Sequence, residues 1–533
     1  MSGLPSLTRK PVYAPRGVVA TSQPLAAAAG LDALRRGGNA VDAAVAAAIT
    51  LAVVQPGSND IGGDLFAIVW DGQRLHGLNA SGRSPAGLTR AAVVASAGPG
   101  GRMFDRGWLS VTVPGAPAGW RDLHARFGRL RFAELFEDAI GYAERGYPVS
   151  PTVAHHWAHG VAVQARLNGL EFAPWPEVFA PAGRAPRAGE LWRNPSAART
   201  LRLIAATGAE SFYSGEIANA VVDWSARTGG TLTGEDLSSH RSVWVDPLHA
   251  SYRDHEVWEL PPNGQGVAAL LALSILDGVD LVGAPAEQRA HAQIEAMKLG
   301  FADAQAYVAD PDVTSVPRMA DLLSPSYVES RRALIGDSAA EPVCGEPARG
   351  GTVYLCTADA NGMMVSLIQS TYMGFGSFIL APGYGFGMQN RAAGFTLDEG
   401  HPNVAAPRKR PYHTIIPGFL TRAGEPVGPF GVMGGHMQPQ GHVQLVAATV
   451  DAGLDPQAAL DAPRWYWHSG LRVQVEAEFP DEVLRGLVRR GHDARRAADR
   501  DVFGNGQAIW RLPRGQGYAA GSESRADGHA AAY

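Results

Sequence analysis

At 533 residues, with 46 basic and 51 acidic side chains and a formal charge of −5, the chain is long enough to bury a large core and carries no long run of either sign. This balance excludes the electrostatic footprint of a nucleic-acid or membrane-surface protein and leaves a small molecule as the expected partner. Two cysteines, Cys344 and Cys356, are too few for a disulfide framework or a cysteine zinc cage, so free thiols are expected.

In chain order, residues 1–16 lack the apolar core of a secretory signal, which gives a cytoplasmic location by default. Residues 24–56 are Ala-rich with helical periodicity, interrupted at Arg36-Gly37-Gly38-Asn39, and predict a helical hairpin. The apolar stretch 41–54 is broken by Asp42 and is shorter than a membrane helix needs, so it reads as a buried helix. A glycine turn at Gly62-Gly63 leads into a strand ending at Trp70, and Asp71-Gly72 folds it back along 74–78. Residues 110–120 read as another strand and tight turn, and 120–310 as mainly amphipathic helix. Within them the loop Pro261-Pro262-Asn263-Gly264-Gln265-Gly266 enters an apolar helix over 267–276. Residues 311–351 hold proline, glycine and charge without a period and read as an exposed linker that would tolerate a cut.

Past that linker the texture changes to strands, 352–357 and 364–370, joined by the hairpin signal Asn361-Gly362. Glycine-rich loops follow at 373–377 and 432–436, and an apolar helix over 442–450 runs off the second. The junction Gly350-Gly351-Thr352 admits two readings. Glycines before Thr, Val and Tyr make an ordinary turn entering a strand. A cut before Thr352 would instead give that residue a free amine beside its hydroxyl. An α-amine has a pKa of about 7.7 to 8.0, against about 10.4 for lysine, and a threonine paired with its own amine is an activated nucleophile. His155, His156 and His159 lack a metalloprotease pattern and read as surface or packing residues, so no metal is expected. Gly383 to Gly387 lies between strands, not in a dinucleotide fingerprint.

Several blocks in one order resemble the γ-glutamyltransferase family of N-terminal-nucleophile hydrolases. They are 29–44 (AGLDALRRGGNAVDAA), Gly62-Gly63, Val113-Pro114-Gly115, Pro261-Pro262, 291–311 (HAQIEAMKLGFADAQAYVADP), Thr352, Phe375-Gly376-Ser377, Lys409-Arg410-Pro411, Gly434-Gly435, Ala459 to Arg464, and Val475-Glu476. The resemblance spans nearly the whole chain. It implies an α+β fold, a four-layer αββα sandwich, with a large segment 1–351 and a small segment 352–533 that stay associated after self-cleavage between Gly351 and Thr352. It further implies that Thr352 is the nucleophile, that the amides of Gly434 and Gly435 stabilise the oxyanion, and that Ser370 supports the hydroxyl. No metal or organic cofactor is implied, and a homo-oligomer is left open.

The resemblance weakens where authentic γ-glutamyltransferases grip the glutamyl group. The arginine of that grip falls near Ser81, the glutamine becomes Arg391, the aspartate becomes Gly394, a serine pair becomes His413-Thr414, and an asparagine becomes Tyr372. Losing the aspartate removes the partner of a substrate ammonium, while Arg83 and Arg391 remain as forks for a carboxylate; Arg391 could equally be a structural ion-pair residue. The pattern is similar to members outside the glutathione group, the oxamate amidohydrolase-like and glutathione hydrolase-like branch. Substrate contacts are therefore expected from Arg391, Tyr372, His413, Thr414 and Arg83. The expected activity is hydrolysis of a small carboxylate-bearing amide, with a glutathione hydrolase or γ-glutamyltransferase as the rival and a non-catalytic binding protein on the same fold as a third reading.

Overall fold

The computed structural model describes residues 9–98, 101–281, 283–342 and 351–533, with Gly351 in its backbone only. Cys344 and Gly350 lie outside the described residues; Cys356 is a buried free thiol.

Two seven-stranded sheets stack face to face. The first runs His529–Ala532, Val18–Thr21, Gly351–Ala358, Met364–Tyr372, Asp64–Trp70, Leu75–Asn79 and Val243–Val245 in spatial order. The second runs Val12–Ala14, Tyr518–Ser522, Asn505–Arg511, Glu425–Met433, Gly418–Arg422, His255–Glu259 and Leu248–Tyr252. Both sheets contain strands from either side of the Gly351/Thr352 bond, so a cut there would leave the two segments hydrogen-bonded along whole ladders.

The alternation of side chains explains the layers. On Asp64–Trp70 and Gly351–Ala358, Leu65, Ala67, Val69, Val353 and Leu355 join one apolar cluster with the helices Pro24–Arg35 and Ala40–Val54. Their neighbours Phe66, Ile68, Trp70, Tyr354 and Cys356 join another, between the sheets. A strand covered on both faces needs apolar residues at both phases of its two-residue period, and these strands have them. The second sheet is covered by Gly266–Asp277, Ala286–Tyr307 and Met437–Val450. The result is an α+β sandwich of four layers.

The predicted helical hairpin forms, and all of Ala40–Val54 is buried. Asn39 caps it with a reciprocal Asp42 capping box. No helix among the described residues is long and apolar enough to cross a membrane. Both predicted hairpins form as well. The stretch expected as a strand over 110–120 is instead a short 3-10 turn, Trp108–Ser110, and the start of a helix, Ala116–Phe127, with Pro117 in its first turn. Proline there costs no hydrogen bond and its φ suits the helix, which outweighs the strand-like alternation of Val111 and Val113. The mainly helical expectation for 120–310 misses three strands between Val243 and Glu259. Residues 311–342 hold two short helices, Met319–Leu322 and Pro325–Arg332.

Candidate active site

Thr352 sits at the end of a central strand, on the inter-sheet face and fully buried. The pairing of its strand with Met364–Tyr372 is irregular between Gly351 and Val353, where Ser370 and Thr371 of the partner strand together stand opposite Thr352, a bulge in the strand that carries Ser370. Bulges re-aim the side chain they carry. Across the bulge, Tyr372 adopts φ +81, a left-handed conformation that is costly for an aromatic residue and persists only when its surroundings enforce it.

The Thr352 hydroxyl donates to Ser370 Oγ at 3.1 Å. Ser370 Oγ also accepts from the Tyr372 amide at 2.8 Å and from Arg391 Nη2 at 3.2 Å. Arg391 Nη1 donates to Thr414 Oγ1 at 2.8 Å, and the guanidinium lies 4.2 Å from the centre of the Tyr372 ring. Arg391 is fully buried, and desolvation lowers its pKa to about 10. Thr352, Ser370, Arg391, Thr414 and Tyr372 are thus one connected group.

A second buried pair stands behind it. Asp64, opposite Ser370 in the sheet, accepts from the amides of Gly82 and Gly115, both at 3.1 Å, and from Gln389 Nε2 at 3.0 Å. Burial nonetheless pushes its carboxyl up to about 7. His413 Nε2 lies 3.0 Å from Asp64 Oδ2, while its Nδ1 accepts from the Ile415 amide at 3.3 Å. Burial holds this imidazole well below its usual range, so the ring is neutral with its proton on Nε2, directed at Asp64. Both ring nitrogens are used internally.

The strand Glu425–Met433 from the second sheet brings the glycine loop to the same corner. A side chain at Gly431 would strike the Tyr354 ring, 2.5 Å from its Cβ position, so glycine there lets the sheets close two residues from Thr352. Gly434 and Gly435 follow at φ +128 and +63, backbone that glycine adopts without strain, just before the helix Met437–Val450. Among the described residues, neither amide donates to an intramolecular acceptor. Gln265 ties this loop to the corner, donating to Gly435 O at 3.0 Å and Thr414 O at 2.7 Å. His436 is buried and held down to about 4, first by desolvation and then by Arg391.

A cavity of about 910 Å³ lies beside the corner, with Met373 and Gly434 in its lining together with His155, His156 and Asp501. His155 and His156, expected as surface or packing residues, are in its lining, with His155 exposed and the two Nε2 atoms 3.4 Å and 3.8 Å from Asp501.

The sequence-predicted residues separate in space. Thr352, Ser370, Tyr372, Arg391 and Thr414 touch one another, and His413 stands behind them on Asp64. Arg83 is committed elsewhere, to Asp310 and Asp312 at 2.5 Å each and to Arg408 O at 3.0 Å. Asp64, Gln265 and Gln389 were not singled out from the sequence. Their signal was weak: Gln265 lies in the noted glycine loop, Asp64 after the Gly62-Gly63 turn, and Gln389 beside Arg391.

The sequence profile described as gamma-glutamyltranspeptidase matches residues 26–533. The chain is 33% identical over 533 residues to the glutathione hydrolase-like YwrD proenzyme of Bacillus subtilis (strain 168), covering 98% of this chain and 99% of that one. It is 35% identical to the oxamate amidohydrolase proenzyme of Klebsiella pneumoniae, covering 97% and 98%. In structure it is similar to a cephalosporin acylase from Bacillus halodurans, with a TM-score of 0.96, 51% identity, and coverage of 100% and 98%.

Proposed function

The chain belongs to the γ-glutamyltranspeptidase family of self-processing amidohydrolases and acyltransferases, and from that premise we propose that it cuts itself between Gly351 and Thr352 and then hydrolyses a small carboxylate-bearing amide through an acyl-enzyme on Thr352. The products of the cut are segments 1–351 and 352–533. The observation that carries this reading is the Thr352–Ser370 hydrogen bond inside a buried, bulged corner.

In the precursor the Thr352 hydroxyl attacks the Gly351 carbonyl carbon, and the peptide nitrogen leaves as the amine of Thr352. Water then hydrolyses the resulting ester, freeing the Gly351 carboxylate. In the mature enzyme the hydroxyl passes its proton to that amine as its oxygen attacks the substrate carbonyl. The departing amine takes the proton, and water releases the acyl group by the same steps.

Ser370 supports this chemistry as the hydrogen-bond acceptor that positions the Thr352 hydroxyl before its proton passes to the amine. The free amides of Gly434 and Gly435 are the donors for the developing oxyanion; one such donor is worth about 2.7 to 4 kcal/mol. Arg391 contributes charge. Through Ser370 its guanidinium lies no more than about 6 Å from the Thr352 oxygen, where a like charge lowers the pKa of the new amine and keeps it a free base near neutral pH.

Turnover of γ-glutamyl p-nitroanilide, oxamate and the p-nitroanilide of succinic acid tests the reading. The carboxylate amides without an α-amine are expected to be the better substrates. Robust γ-glutamyl turnover with both others inert would overturn that assignment in favour of a glutathione hydrolase. The corner supports the first outcome, because Gly394 stands where a carboxylate would meet the glutamyl ammonium, and its Cβ position lies 2.8 Å from Tyr412 O.

A further inference from the structure

Neither arginine singled out in the sequence is free to meet a substrate carboxylate. Arg83 is held by two aspartates, and Arg391 is fully buried away from the cavity lining, with Nη1 on Thr414, Nη2 on Ser370 and Nε without a partner. The cavity wall offers three other guanidinium groups, Arg106, Arg500 and Arg525. Arg500 pairs with Glu478, and Arg525 with Glu476 and Glu523. Arg106 has no carboxylate within ion-pair distance among the described residues; its neighbour Asp105 lies 3.5 Å from Arg102 instead.

Arg106 is also held in place. Its Nη1 donates to Asp105 O at 3.0 Å and Gly376 O at 3.1 Å, and its guanidinium rests 5.1 Å from the centre of the buried Phe378 ring. That leaves Nη2 and Nε uncommitted. The loop carrying it is bound to the active corner, because Asn390 donates from Nδ2 to Asp105 O at 2.7 Å and accepts at Oδ1 from the Met373 amide at 3.0 Å. Asn390 precedes Arg391, and Met373 follows Tyr372. A half-buried cation fixed in a cavity, with two donor nitrogens and, among the described residues, no carboxylate within ion-pair distance, is a carboxylate fork awaiting its partner.

We propose that Arg106 is the specificity residue that binds the carboxylate of the substrate's acyl part. This rests on Thr352 as the nucleophile, since that choice makes the cavity beside Met373 and Gly434 the acyl pocket.

Two arms test it on the processed protein. In the first, calorimetric titration with succinate compares wild type with Arg106→Gln and Arg106→Lys. The glutamine variant is expected to bind about 10- to 100-fold more weakly and the lysine variant to recover part of the loss; equal binding by wild type and Arg106→Gln overturns the proposal. In the second, the p-nitroanilide of succinic acid is compared with its neutral terminal-amide analogue. Arg106→Gln is expected to raise KM for the charged probe by the same factor while kcat changes little, collapsing the preference between the two probes. An equal fall for both overturns the proposal. Absence of turnover in wild type with succinate binding intact would count against Thr352 chemistry and not against Arg106, because the first arm needs no catalysis.

Discussion

The corner around Thr352 and the cavity wall around Arg106 adjoin each other and are built in opposite ways. In the corner each polar side chain is fully buried and holds another: Thr352 on Ser370, Ser370 on Arg391, Arg391 on Thr414, and His413 on Asp64. On the wall the charged groups are half-buried or exposed, and among the described residues Arg106 has no carboxylate within ion-pair distance. A connected network fixes geometry, since removing a buried partner costs about 1 to 3 kcal/mol, even though Arg391 Nε has no partner of its own. An open charge on a wall stabilises nothing until a ligand arrives. The difference separates the machinery that must be in place before any substrate binds from the surface that selects which substrate does.

Substitutions that reach the corner should therefore act on rate, and those on its edge on little. The largest effect is expected at the glycine loop. Gly435→Ala forces a side chain onto backbone at φ +63 and turns an oxyanion donor, which predicts a fall of about 100- to 1000-fold in kcat with KM nearly unchanged. A parallel rise in KM would mean the loop binds substrate instead.

Ser370→Ala comes next. It frees the Thr352 rotor and strips Arg391 of one acceptor, so processing, followed by gel densitometry, and turnover should both slow by about 10- to 100-fold. Slowing of only one would separate two chemistries that the account assigns to one oxygen.

Arg391→Gln tests electrostatics. A unit charge about 6 Å away at an effective dielectric of about 20 is worth roughly 2 to 3 kcal/mol, or about two pH units. In the proposed mechanism the active amine is unprotonated and the guanidinium charge acts to lower its pKa. Removing that charge should move the acid limb of the kcat/KM profile upward by about that amount. An unmoved limb would leave Arg391 a packing residue. The smallest effect belongs to Arg83→Gln. Its bonds go to Asp310, Asp312 and Arg408 O, so kcat/KM should change less than about threefold.

Much of this division could be read from the sequence. The order of family-like blocks located the Thr352 junction, and period-two alternation with Asn361-Gly362 located the strands that present Thr352 and Ser370. What could not be read was commitment. Arg83 and Arg391 both read as forks for a carboxylate, with a structural role left open for Arg391, because a sequence does not say that Asp310, more than two hundred residues away, reaches one, or that Ser370 and Thr414 bond to the other. Asp64 went unnoticed because a buried carboxylate inside an apolar strand has no local pattern. Arg106 lay in the stretch before 110–120, whose alternation suggested a strand where Pro117 starts a helix.

The central claim is that Thr352 both cuts the chain and carries the acyl group, and intact-mass analysis of purified wild type and Thr352→Ala tests it most directly. Wild type should give two fragments, the smaller beginning at Thr352 and gaining the mass of an acyl group when quenched during turnover, and the variant a single uncut chain. A Thr352→Ala chain split at the same bond, or a wild type that turns over amide while uncut, would contradict it.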